Sequence, residues 1–230
     1  MTVLIRFATA ASFAALAACA TGPFGGPPER VNFAADSALG AELGVREIDA
    51  LYPAFVAAIE GGKKGEERPW TAGSATGSIT PGQDLVGNLK PNPMTLLPVD
   101  PGLDLGYSFE TELGLHALAR NANLRSGPSE EARTLSVLSA GTAVDAVGKV
   151  VGEPWLLIAI NGRVRGYVHE SLAVKAPGTE LDLAGGPIRR AYPCRAFDQT
   201  LVIFGRSDRW TGVACDRGDG WRLERPVGIS

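Results

Sequence analysis

The sequence predicts an α+β fold, one helix followed by many short strands joined by tight turns. Three observations predict it. The chain of 230 residues carries 29 glycines and 16 prolines, a load that long helices do not tolerate. One stretch only, residues 41–60 ("AELGVREIDALYPAFVAAIE"), spaces its apolar residues near the helical period. Between residues 111 and 174, five short runs ("LGLHALA", "TLSVL", "TAVDAV", "WLLIAI", "VRGYVH") alternate with glycine and polar turns, the pattern of a small barrel. A hydrophobic fraction of 45% and a charged fraction of 20% suit a globular body. The net charge of −3 and a pI near 5.5 argue against nucleic acid as a partner.

The opening is too short to span a bilayer. After Arg6 only residues 7–18 form an uncharged, mostly apolar run, against the roughly 20 residues a spanning helix needs. A basic start, an apolar run and small residues describe a secretory signal. Leu16, Ala17, Ala18 and Cys19 resemble the bacterial lipobox. The resemblance implies that residues 1–18 are a lipoprotein signal peptide and that Cys19 carries diacylglycerol and, on its new amino terminus, an acyl chain such as palmitate. At about 0.8 kcal/mol per buried CH₂ such a group holds firmly to a membrane. Ala20 rather than aspartate follows, which implies the outer membrane of a Gram-negative bacterium, with the protein facing the periplasm or the surface. With Cys19 assigned to lipid, Cys194 and Cys215 are left as one pair, most simply a disulfide in an oxidising compartment. A metal site is the competing reading, and no histidine or third cysteine lies nearby at ligand spacing.

Residues 19–40, Gly/Pro-rich at "GPFGGPPERVN", read as a tether. In the helix, Leu43, Ile48, Leu51, Phe55, Val56 and Ile59 supply the apolar side, and Pro53 predicts a kink or two short helices. "GGKKGEER" reads as a solvated turn, and "WTAGSATGSITPG" from Trp70 as strand, turn and strand. Residues 83–110 read as a connector, because "NLKPNPMTLLPVDPGLDLG" holds four prolines. In the next module Leu124, Leu135, Val137, Val144, Val147, Leu157, Ile160 and Val168 can alternate inward. "NGR" at 161–163 is a type I′ hairpin signal. "APGTELDLAGGPIRR" leads out, and the remainder reads as strands with tight turns.

Within residues 111–175, "NLRSGPS" at 123–129, Leu138, Gly141, Trp155 and "GYVHESL" at 166–172 resemble a bacterial SH3 domain. The resemblance implies a small barrel that binds peptidoglycan peptides or an envelope protein, with Arg125, Trp155 and Tyr167 as candidates to line its groove; the competing reading is that Trp155 and Tyr167 pack the barrel. The flanks carry a second likeness. Cys194, Arg195, Phe197, Thr200, "LVIFGR", "TGVAC" and "DGW" at 219–221 are similar to the carboxyl-terminal region of the 17 kDa surface-antigen family of outer-membrane lipoproteins. Trp70, Gly77, Ile79, Thr80 and Pro81 stand in that family's order, although its Asn-Pro after the tryptophan is absent and one residue before Trp221 is missing. The full expectation is therefore a small disulfide-stapled antiparallel sheet with an N-terminal helix, formed by residues 41–82 and 187–225, plus an inserted all-β SH3-like barrel; the alternative is two consecutive modules after a disordered lead.

No catalytic residue, cofactor or metal is expected. The two histidines, His116 and His169, both fall in the SH3-like module, and no thiol is left to pair with them once the cysteines are assigned. The functional expectation is a non-catalytic envelope lipoprotein that binds peptidoglycan or an envelope partner. The alternative is a structural or assembly lipoprotein whose module docks a protein and has no affinity for the wall.

Overall fold

The computed structural model describes residues 31–176 and 186–224, all within the compact unit Val31–Ser230. Cys19 and residues 1–18, expected to be a signal peptide, lie outside the described residues. The helix α1 spans Val45–Gly61, after a 3₁₀ turn at Gly40–Glu42. The strands of the first half are β1 (Arg68–Ala72), β2 (Ala75–Gly87), β3 (Leu97–Pro98), β4 (Ser108–Glu110), β5 (Gly114–Leu118), β6 (Ala122–Arg125) and β7 (Thr134–Leu138). Then come β8 (Ala143–Val150), β9 (Trp155–Ile160), β10 (Arg163–His169), β11 (Ala173–Lys175) and β12 (Ile188–Arg190). The last three are β13 (Tyr192–Ile203), β14 (Arg206–Asp216) and β15 (Trp221–Glu224).

These strands form two antiparallel sheets. One runs β1-β2-β13-β14-β15 with β3 beside β2, so its strands come from both ends of the described chain. The other runs β11-β5-β8-β9-β10-β6-β7, with β4 joining β12 to β8. The second sheet was expected as a barrel. Among the described residues no ladder joins its end strands β11 and β7.

Helix α1 lies on the first sheet. Leu51, Phe55, Ala58 and Ile59 are its buried residues, spaced to form one stripe. Phe55 stacks on Phe33 at 3.8 Å between centroids and meets Phe197 of β13 edge-on at 4.8 Å. Pro53 does not divide the helix, which is assigned as one segment of 17 residues. The ring is exposed, so its missing amide costs a hydrogen bond on the wet side and leaves the packed stripe intact. Arg195, nearly buried, donates from Nη1 to the Ile59 carbonyl in the last turn of α1, and its Nε lies 3.1 Å from Asp84. A cation there suits the negative end of the helix.

The presumed tether ends earlier than expected. From residue 31 the chain is packed: Phe33 and Ala34 are buried with Leu39 in the core under α1. Ser37 Oγ and Ala38 N donate to Asp208 of β14 at 2.7 and 2.8 Å, which holds the Asp208 carboxyl below its usual range.

The connector also departs from expectation. Strand β2 continues to Gly87, β3 pairs with it, and the residues beyond form a strap across the second sheet. Val99 bridges Val164, Asp100 N donates to Val164 O at 2.9 Å, and Asp104 N donates to Ser126 O at 2.9 Å. Asp100 lies 2.8 Å from Arg165 Nε, and Arg163 reaches Val99 O and Gln83. Leu103, Leu105 and Tyr107 then pack on a core shared by Val86, Val99, Phe109, Leu157 and Tyr167. Strand β9 is thus buried on both faces. Leu156 and Ile158 enter a second core with Leu124 and Val168, while Trp155, Leu157 and Ala159 face the strap side. A continuous apolar run is the sequence form of such a strand.

Candidate functional site

The uncovered part of the outer sheet face is built by β9, β10, β6 and β7. Along β6, alternation sends Ala122 and Leu124 into the core and places Asn123 and Arg125 on the other face. Across the ladders Trp155 pairs with His169, Tyr167 with Arg125, and Asn123 with Val137. The result is a pocket of about 240 Å³ lined by Asn121, Asn123, Arg125, Glu130, Val137, Trp155, His169 and Leu172.

Each wall has a local cause. Gly166 has φ of 148° and sits at a register shift of β10; a Cβ there would meet the Arg125 carbonyl at 2.5 Å. Only glycine lets β6 approach so closely. A second shift makes Leu135 the extra residue of β7, between Leu124↔Ser136 and Arg125↔Thr134. Leu135 turns to the core, and Val137, expected inward, is 62% exposed on the pocket side.

The side chains are fixed by short-range contacts. Trp155, 6% exposed, meets His169 edge-on at 5.4 Å. His169 Nδ1 accepts from Ser171 N at 3.3 Å and lies 2.9 Å from Ser171 Oγ, so it caps the 3₁₀ turn Glu170–Leu172. The neutral ring then carries its proton on Nε2. Arg125 Nη1 donates to Ala132 O at 3.0 Å and to Thr134 Oγ1 at 3.4 Å. In the adjoining loop, Ser129 Oγ donates to Glu131 at 2.9 Å, and hydrogen bonds from its own amide and from Ser129 hold the Glu131 carboxyl below its usual range.

Residues 120–173 match the bacterial SH3 domain family. The match covers less than a quarter of the chain. No curated protein and no solved structure matches the chain. The SH3 match takes in β6 to β10 and all eight pocket residues, so the whole pocket belongs to it.

Of the three groove candidates, Arg125 and Trp155 line the SH3 pocket together. Tyr167 does not. It is fully buried beneath the strap, where its hydroxyl donates to the Asp104 carbonyl and its ring meets Tyr107 edge-on at 6.5 Å. Asn121, Asn123, Val137 and His169 escaped the sequence reading. For Asn121, Asn123 and Arg125 a signal was present, because every second residue of a strand shares a face. Cys194 and Cys215 face each other across β13 and β14 as a disulfide. Among the described residues no group of three or more His, Cys, Asp or Glu could hold a metal ion, and no helix is long and apolar enough to cross a membrane.

Proposed function

We propose that this chain is a non-catalytic, lipid-anchored envelope protein whose SH3 pocket holds a peptide of peptidoglycan or of an envelope partner. The observation that carries the reading is the pocket itself, which falls within the SH3 match. SH3 domains of bacteria commonly bind peptidoglycan or envelope proteins. The chemistry fits a peptide: Asn121 and Asn123 offer amide donors and acceptors, Trp155 an aromatic edge, and Arg125 a cation for a carboxylate. On this reading the helix and first sheet, residues 41–82 and 187–225, form the surface-antigen-like carrier into which the SH3 barrel is set. Acylated Cys19 ties it to the outer membrane of a Gram-negative cell.

Co-sedimentation with purified sacculi tests the pocket, using the chain with Cys19→Ser and, beside it, Asn123→Trp to fill the cavity and Arg125→Gln to remove its charge. Thermal unfolding checks that each variant is folded. Salt-resistant pelleting that both variants lose places a wall ligand in the pocket. No pelleting of the Cys19→Ser chain sinks wall binding and leaves a protein partner, sought by cross-linking in cells. Incorporation of labelled palmitate, present in the unaltered chain and lost with Cys19→Ser, tests the anchor.

A further inference from the structure

A second and larger cavity, about 750 Å³, lies between the strap and the start of β13. Its size falls in the range of about 300–1,000 Å³ that ligand sites occupy. Leu103 and Leu105 of the strap and Ala191 form apolar walls, and Tyr192 adds an aromatic face. A trough of about 270 Å³ shares Leu103, Leu105 and Pro193 with it and adds Leu85 and Val99, with the Asp84–Arg195 ion pair in its lining. Leu103, Leu105 and Pro193 are therefore apolar walls common to both.

The charges in the cavity are not equivalent. Arg217 is neutralised by Glu224, with Nη2 2.7 and 2.8 Å from the two carboxylate oxygens, and its guanidinium lies 5.0 Å from the Tyr192 ring centre. Asp216 Oδ1 accepts from Gly218 N at 2.8 Å and from Gly220 N at 3.2 Å, so it is used within its own turn. Arg190 differs. Its carbonyl accepts from Asn88 Nδ2 at 3.0 Å and its strand pairs with Ser108, which fixes the backbone. Its exposed guanidinium has no hydrogen bond or ion pair among the described residues. Arg190 thus lines the cavity as a cation without an ion-pair partner among those residues, beside the apolar walls and together with the Asp216 carboxylate held in its turn.

We infer that this cavity binds an acyl-chain carboxylate, with Arg190 on the acid group and the chain laid against Leu103, Leu105 and Ala191. Apolar walls shared by two adjoining hollows suit a chain, and the unpaired Arg190 guanidinium, a fork of donors, suits a carboxylate at its end. The site is separate from the SH3 pocket and does not depend on what that pocket holds.

Isothermal titration of the full chain carrying Cys19→Ser, with dodecanoate below its micellar concentration, tests it. Saturable one-to-one binding is expected, with dodecyltrimethylammonium, of equal chain length and opposite charge, giving none. Arg190→Gln should weaken dodecanoate about tenfold, the loss of one charge-assisted contact. Leu103→Asp should weaken it as well, with each variant's fold checked by thermal unfolding. Equal binding of the two amphiphiles, affinity unchanged in folded Arg190→Gln, or no dodecanoate binding would each overturn the assignment.

Discussion

Gln199 stands in the middle of β13, opposite Ile79 and Trp210, with no exposed surface and no hydrogen-bond partner for either amide atom. A buried amide left unpaired costs about 1–3 kcal/mol, whereas an apolar group of similar shape there is neutral or better. Gln199→Leu should therefore leave the midpoint of thermal unfolding unchanged or raise it by about 2–4 °C per kcal/mol. A marked fall would show that the amide is bonded through ordered water, for which the buried, unpartnered Trp210 Nε1 is the nearest candidate along the ladder. Tyr167 poses the opposite case. Burial, first, and then the charge of Asp104 hold its phenol proton well above the ordinary tyrosine range. In the unfolded chain the phenol ionises near pH 10. The unfolded state then releases a proton that the folded state keeps, so stability is full below that pH and falls as pH rises beyond it. Tyr167→Phe should cost about 1–3 kcal/mol at pH 7, by orphaning the Asp104 carbonyl. It should also flatten the alkaline loss seen in urea unfolding between pH 9 and 11, a range set about the ordinary phenol value; an identical alkaline slope in the variant would contradict the coupling.

Two hairpins make the same turn with different residues. Asn161-Gly162 joins β9 to β10 with φ of 53° and 74°, the type I′ pattern that the "NGR" signal predicted. Phe204-Gly205 joins β13 to β14 with φ of 49° and 76°, and there the first position holds an aromatic that is 79% exposed. A bulky residue at positive φ is strained, by roughly 1 kcal/mol or more. Phe204→Asn should raise the unfolding free energy by about 1 kcal/mol in denaturant titration; a loss would mean that the ring packs in solution. The same hairpin carries the disulfide, between residues 21 apart in sequence. Replacing Cys194 and Cys215 together by serine should destabilise by about 3 kcal/mol, read as a lower denaturation midpoint. Elements of this kind were legible because local chemistry sets them: paired positive-φ residues make turns, and the spacing of Leu51, Phe55 and Ile59 makes a helix stripe. The bulge at Leu135 was not, since the extra residue leaves the apolar alternation of "TLSVL" unchanged and is visible only in the register with β6. Arg125 and Trp155 were found for the site by their place in a motif, while Asn123 and Val137 needed that register.

At the scale of the unit Val31–Ser230, the strap is what sequence patterns concealed. Four prolines mark residues 88–106 as irregular, and irregular chain is read as linker. Yet Val99, Leu103, Leu105 and Tyr107 complete a core that also takes Val86 from the first sheet and Leu157 and Tyr167 from the second. The hydrogen bonds of Asp100 and Asp104 satisfy backbone groups that a loose linker would give to water. This arrangement also explains why, of the two readings of Tyr167, packing holds and groove lining does not: its position in the motif is open to solvent only if nothing covers the outer face. The strap predicts a dependence between segments. An isolated fragment of residues 111–175 should expose Trp155, Leu157, Val164 and Tyr167 together, since their covering residues lie outside it. Fully burying each such side chain contributes about 1.5–3 kcal/mol, so the fragment should unfold at markedly lower denaturant than the same residues in the full chain. A fragment of residues 97–176 should recover most of the difference, because it carries Val99, Leu103, Leu105, Tyr107 and Phe109 with it. Hydrogen exchange of the β9 and β10 amides reads the comparison directly. Equal protection in both fragments would show that the SH3 sheet stands alone and that the strap only lies upon it.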